Sequence, residues 1–155
     1  MKLPSRLRLI PLVFAPILLL AGCQTGTDRA GGNLLPAQAE AGTVWQGNHS
    51  SAAERAYVVA RDGAEWTALW ARVGEPAPTS LPGGRMAVAV FLGPRDTAGY
   101  GVSIDSVQQK GADLVVGYRE TVPGPAQAVA QSRTSPYAIR LLPSAAGTPK
   151  FVRGK

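Results

Sequence analysis

The chain has one cysteine and one histidine in 155 residues. A single cysteine excludes an intrachain disulfide framework and any cysteine-based zinc cluster. A single histidine excludes a multi-histidine metal site, and His49 leaves one Ser/Cys–His arrangement to consider. No Asp-x-Asp-x-Asp-Gly loop for calcium occurs, and no Gly-rich phosphate motif follows a strand pattern. The acids Asp62, Glu65, Asp96, Asp105, Asp113 and Glu120 are scattered, with no spacing that supports a glycosidase carboxylate pair. Arg61, Arg72, Arg85, Arg95, Arg119, Arg133, Arg140 and Arg153 are spaced singly, without the basic run and interleaved aromatics of a nucleic-acid binder. No internal repeat is present. From these absences no cofactor, metal or nucleic-acid partner is expected. What is present is 45% hydrophobic residues against 17% charged ones, which excludes a fully disordered chain.

The first segment reads as an address. Lys2, Arg6 and Arg8 precede an apolar run from Leu9 to Leu20, broken by Pro11 and Pro16. Its 12 residues fall short of the roughly 20 needed to span a bilayer. Basic flank and short apolar run are the layout of a secretory signal. The four residues that close it, Leu20-Ala21-Gly22-Cys23, resemble the lipobox of bacterial lipoproteins. That resemblance implies a diacylglyceryl thioether on Cys23, cleavage before it, and acylation of the new amine. The mature protein is then held on a membrane by acyl chains on Cys23 with no span of its own. Gln24, in place of an aspartate after the lipidated cysteine, points to the outer membrane of a Gram-negative bacterium. Removing residues 1–22 takes Lys2, Arg6 and Arg8 with it. That leaves 13 basic residues against ten acidic ones, a net charge of +3 rather than +6.

Residues 24–42 are rich in Gly, Ala, Gln and Thr, with Leu34 and Leu35 the only strongly apolar members. With Cys23 they form a lipidated, flexible tether, whose coil dimension is roughly 25 Å. Residues 43–155 are enough for one globular domain and one core.

Within that domain, Thr43–Gly47 and Ala56–Arg61 are strand candidates. Asp62 followed by Glu65 is a helix cap with a capping-box partner, and Trp66, Leu69, Trp70 and Val73 recur at helical spacing until Gly74. Arg85–Gly93 is apolar on both faces, as a covered central strand would be. Tyr100, Val102 and Ile104 alternate with polar or small residues, and Leu114–Glu120 follows a Lys110-Gly111 turn, which predicts an antiparallel hairpin. Ala126–Ser132 is weakly strand-like. Tyr137, Ile139 and Leu141 form another alternating strand, and Phe151 and Val152 a last one at an edge. The expected fold is mainly β, of α+β type. It has about seven short, mostly antiparallel strands and one helix packed on the sheet; barrel and sandwich remain open alternatives.

Several of these pieces, taken in order, resemble the PrcB C-terminal family, the domain named after a subunit of a bacterial protease complex. They are Glu65-Trp66 and Leu69-Trp70, the apolar strand Met86–Leu92 ending in Gly93, and the run Gly93-Pro94-Arg95-Asp96-Thr97-Ala98-Gly99-Tyr100. Val102, Ile104, Pro123-Gly124, Gln131 and Thr134-Ser135-Pro136-Tyr137 follow. The resemblance covers roughly residues 62–142. One position departs: Ala98 stands where the family run has glycine. The resemblance implies an envelope lipoprotein subunit that binds or stabilises another protein, a protease among the candidates, without itself being a protease.

Arg95, Thr97, Gly99 and Tyr100 are the candidate interaction loop, with Arg95 as an anion clamp and Tyr100 as a contact. The competing reading has Thr97 satisfying turn amides and Tyr100 packed in the core with its hydroxyl bonded. Ser135, Pro136 and Tyr137 are secondary candidates. Ser135 has the chemistry of a nucleophile, yet nothing marks a base beside it, and a residue before proline is held extended. His49 lies in a polar stretch with Ser50 and Ser51. The function expected is a lipid-anchored protein-interaction module of the cell envelope, not an enzyme. The alternatives are an envelope hydrolase working through Ser135 or His49, and a lipoprotein that binds a small ligand in an apolar pocket.

Overall fold

Apolar runs and turn residues in the domain resolve into seven strands and one helix. They are β1 (Val44–Gly47), β2 (Ala56–Ala60), α1 (Gly63–Val73), β3 (Arg85–Phe91), β4 (Gly101–Lys110), β5 (Asp113–Thr121), β6 (Tyr137–Pro143) and β7 (Thr148–Arg153). The computed structural model describes residues 42–154; the signal segment, Cys23 and the tether up to residue 41 lie outside the described residues.

α1 forms where its caps dictate. The Asp62 carboxylate accepts the Glu65 N–H at 2.8 Å, and Gly74 takes the left-handed conformation (φ +91°) that ends the helix. Glu65 reaches one residue beyond a standard capping box, accepting from the Arg61 N–H at 2.6 Å. The face predicted from helical spacing is the buried one: Trp66, Leu69, Trp70 and Val73.

Four strands form one antiparallel sheet in the order β1-β6-β3-β2. The other three form a second sheet, β4-β5-β7, in which β4 and β5 are the expected hairpin and β7 runs parallel to β5. Among the described residues the sheets stack and do not close into a barrel, which decides for a sandwich. β3 is buried on both faces, as its uninterrupted apolar run predicts. Its Ala87, Ala89 and Phe91 face α1, while Met86, Val88 and Val90 face the second sheet. The helix side is filled by the three tryptophans. Trp45 of β1 meets Trp66 and Trp70 edge-on, all three centroid distances being 5.6–5.7 Å. Trp66 donates its indole N–H to the Thr79 carbonyl at 2.7 Å. The Trp70 N–H is buried without a hydrogen-bond partner among the described residues.

Three expectations change. Ala126–Ser132 is not a strand: its alanines and glutamines are mostly exposed, and nothing apolar fixes a register. β6, expected as an alternating strand, is apolar on both faces and lies between β1 and β3, because Ala138 and Leu142 bury the face opposite Ile139 and Leu141. Tyr100 precedes its strand, which begins at Gly101.

The sandwich has two seams where an edge of one sheet lies by an edge of the other. At the β2–β7 seam, Tyr57 packs on Phe151 (4.9 Å) and Tyr118 (5.6 Å), and the Tyr57 and Tyr118 hydroxyls are 2.7 Å apart. Arg55 grips Glu120 with both terminal nitrogens, at 2.5 and 3.0 Å, and Arg153 lies 3.7 Å from the same carboxylate. At the other seam β1 and β4 lie side by side without pairing. There Arg140 of β6 reaches across to the Ile104 and Asp105 carbonyls at 3.3 and 3.2 Å, where β4 carries a bulge.

Candidate functional site

The two candidate motifs, about forty residues apart in the chain, meet at one end of the sandwich. Residues 93–100 connect β3 to β4, and residues 130–136 lead into β6. Between them Arg95 and Thr134 form an isolated antiparallel bridge, with reciprocal backbone bonds of 2.7 and 2.9 Å. The Ala98 N–H donates to the Ala130 carbonyl at 3.0 Å, and the Leu92 N–H to the Pro136 carbonyl at 2.9 Å. Thr134 donates its hydroxyl to the Thr97 carbonyl at 3.1 Å. Thr97 therefore contributes its carbonyl, and the hydroxyl that stabilises the turn belongs to Thr134.

A third segment completes the platform. The Ser135 N–H donates to the Asn48 carbonyl at 2.8 Å, and its hydroxyl lies 2.8 Å from the Ser50 hydroxyl and 3.4 Å from the Ala52 carbonyl. Ser135 is buried, and Pro136 is among the most fully buried side chains. Its oxygen is thus engaged by a hydroxyl and a carbonyl, and His49, one residue from Ser50, is exposed. Tyr137 is buried too, stacked on Phe91 with centroids 6.1 Å apart. Burial, reinforced by the charge of Glu75, raises its hydroxyl pKa above the ordinary value.

Glycine matters at two positions here. Gly93 has φ +72°, and a Cβ there would lie 2.7 Å from the Glu54 carbonyl carbon and 2.9 Å from the Arg55 nitrogen. Only glycine lets the 93–100 loop leave β3 against that backbone. Gly99 has φ +89°, and a Cβ would press on Val129 and Pro123 at 3.0 and 3.1 Å. Of the pair Ala98-Gly99, the second residue carries the left-handed turn, and Ala98 supplies a backbone donor.

The side chains left accessible are those on the outer surface of the platform. Arg95 is half-buried, its guanidinium carbon 5.6 Å from the Tyr100 ring centre, in cation–π range. Tyr100 is therefore neither the free contact nor the core residue of the two readings, but a half-buried base on which Arg95 rests. Asp96 is exposed, 3.9 Å from exposed Arg133. Directly beside Tyr100 opens a cleft of about 400 Å³ between β1 and β4, lined by Gln46, Asn48, Gly101, Ser103, Thr121 and Tyr137 among others. Sequence reasoning met Ser50 only as a neighbour of His49 and did not single out Asn48 or the cleft: their role comes from pairing across more than eighty residues, which leaves no local pattern. No group of acids, histidine or cysteine able to hold a metal occurs among the described residues.

Residues 86–140 match the family model described as PrcB C-terminal. The match spans β3, the loop, the β4–β5 hairpin and the first half of β6, so the segments that build the platform on either side of the bridge are largely those that carry the family resemblance. No curated protein and no solved structure matches the chain significantly.

Proposed function

We propose that this chain is a lipid-anchored binding module of the bacterial cell envelope that docks another envelope protein through the platform at the Arg95–Thr134 bridge, without chemistry of its own. The observation that carries this reading is the bridge itself. It joins the two family motifs into one surface held by backbone bonds, and it leaves Asp96 exposed and Arg95 half-buried on the Tyr100 ring, one residue before the cleft-lining Gly101. A rigid backbone frame presenting an arginine on an aromatic base suits recognition of a protein surface. The PrcB C-terminal resemblance makes a protease the partner class to test first. The engagement of Ser135 by Ser50 and Ala52 supports a non-catalytic reading over a hydrolase.

The test is crosslinked capture of the tagged lipoprotein from its native envelope, comparing wild type with Arg95→Ala/Tyr100→Ala after both are shown to be folded. A partner captured by wild type and lost in the double variant is expected. A partner retained equally by both would move the interface elsewhere. The anchor is tested separately. Cys23→Ser is expected to take up no palmitate label and to remain at precursor size; label persisting in that variant would remove the anchor.

A further inference from the structure

A second cleft, of about 430 Å³, lies on the same β1–β4 seam. It is at the opposite end from the platform: it is lined by Gln109 of β4, Leu114 of β5 and Pro143 of β6, whereas the platform cleft takes Gly101, Thr121 and Tyr137 from those strands. Its volume falls in the range of about 300–1,000 Å³ typical of ligand pockets. Val107, Leu114, Leu142 and Ala145 supply an apolar wall, and Arg140 supplies a cation.

Arg140 is the arginine that lines this cleft. Arg55, Arg119 and Arg153 each lie within ion-pair distance of a carboxylate. Arg140, like Arg61 and Arg85, has none among the described residues, and only its Nη1 is used, in two long bonds to carbonyls. A guanidinium has five N–H donors in a planar fork, so Nε and Nη2 remain without a partner among the described residues. A half-buried cation with unused donors beside an apolar wall is matched by an anion that carries an apolar group. Next to it β4, paired with β5 on one side only, offers a free strand edge.

We infer that this cleft captures the C-terminus of an extended peptide. The α-carboxylate sits on the free donors of Arg140, the last side chain, aliphatic, enters between Val107, Leu114, Leu142 and Ala145, and the peptide backbone follows the open edge of β4. This site is separate from the platform and does not depend on the reading given to it.

The experiment uses the full lipoprotein in detergent micelles and an array of random six-residue peptides, each made with a free C-terminal carboxylate and again as the amide. Wild type is expected to bind a subset ending in an aliphatic residue, at least about ten-fold more tightly as acid than as amide. Arg140→Gln is expected to erase that preference, and Arg140→Lys, which keeps the charge without the fork, to reduce it. Hydrogen exchange of wild type with the tightest peptide is expected to slow at residues 107–109 and 143–145, and this arm stands even where Arg140→Gln fails to fold. No peptide bound above its amide control, a preference that survives in Arg140→Gln, or protection confined to other residues would each overturn the proposal. Dodecanoate binding more tightly than every peptide, with the same protection, would assign the cleft to a fatty carboxylate and overturn the peptide as its occupant.

Discussion

The two seams of the sandwich face the same physical problem and meet it differently. Each must hold together sheet edges that share no strand-to-strand pairing. The β2–β7 seam is closed by aromatic rings and a bidentate ion pair: Tyr57, Tyr118 and Phe151 in contact, with Arg55 and Arg153 around Glu120. The β1–β4 seam is bridged by one arginine through two long bonds to carbonyls, with a cleft on either side. The contrast teaches where stability and recognition reside in this fold. One edge is sealed and contributes to the core, while the other is left open along its length.

Breaking the sealed seam is expected to cost most. Tyr118 is 5% exposed and touches Tyr57 by ring and hydroxyl. Tyr118→Ala should destabilise by about 3 kcal/mol, read from urea unfolding followed by circular dichroism. A loss below about 1 kcal/mol would mean the two sheets are held elsewhere.

The ion pair gives the next largest effect and a pH signature. The Arg55 hydrogen bonds hold the Glu120 carboxyl below the usual carboxylate range, and the same pair raises the Arg55 pKa. Because the folded value is the lower one, the stabilisation is fully present above the unfolded carboxyl pKa of about 4.3 and fades as pH falls through the folded value. Arg55 is 35% exposed, so solvent screens part of it. Glu120→Gln should then cost about 1–2 kcal/mol at pH 7, and the difference from wild type should shrink below about pH 4. A gap that stays constant into acid would show that the charge of Glu120 contributes nothing.

The open seam should respond least. Arg140→Gln removes two bonds of marginal length, at an expected cost under about 1 kcal/mol in the same unfolding assay. A loss matching that of Tyr118→Ala would erase the contrast between the seams and make Arg140 a structural brace.

Much of the frame was legible in the sequence because local rules and tertiary packing agree there. Asp62, Glu65 and Gly74 announce the helix, its tryptophans announce the buried face, and the double-sided apolar run of β3 announces a covered strand. Tyr137, Ile139 and Leu141 fix the α1-facing side of β6, yet their alternation misled about its other face. Ala138 and Leu142 complete that face, and alanine is a weak hydrophobic signal. Ala126–Ser132 misled for the opposite reason, having strand-tolerant residues but no partner. Both candidate motifs were visible, and their meeting through Arg95 and Thr134 was not, since a single bridge between distant loops has no periodicity. Arg140 looked like one more singly spaced arginine. Its distinction is its place in the wall of a cleft with donors unused, which only the assembled sheets reveal.

The tryptophan cluster has an optical consequence. All three of the protein's indoles sit together, contributed by β1 and α1, within 5.7 Å of one another. Intrinsic fluorescence therefore samples a single layer, with excitation shared among rings in edge contact. Emission should report detachment of β1 or of the helix, and should stay silent when the far sheet shifts or when either cleft along its open seam is filled.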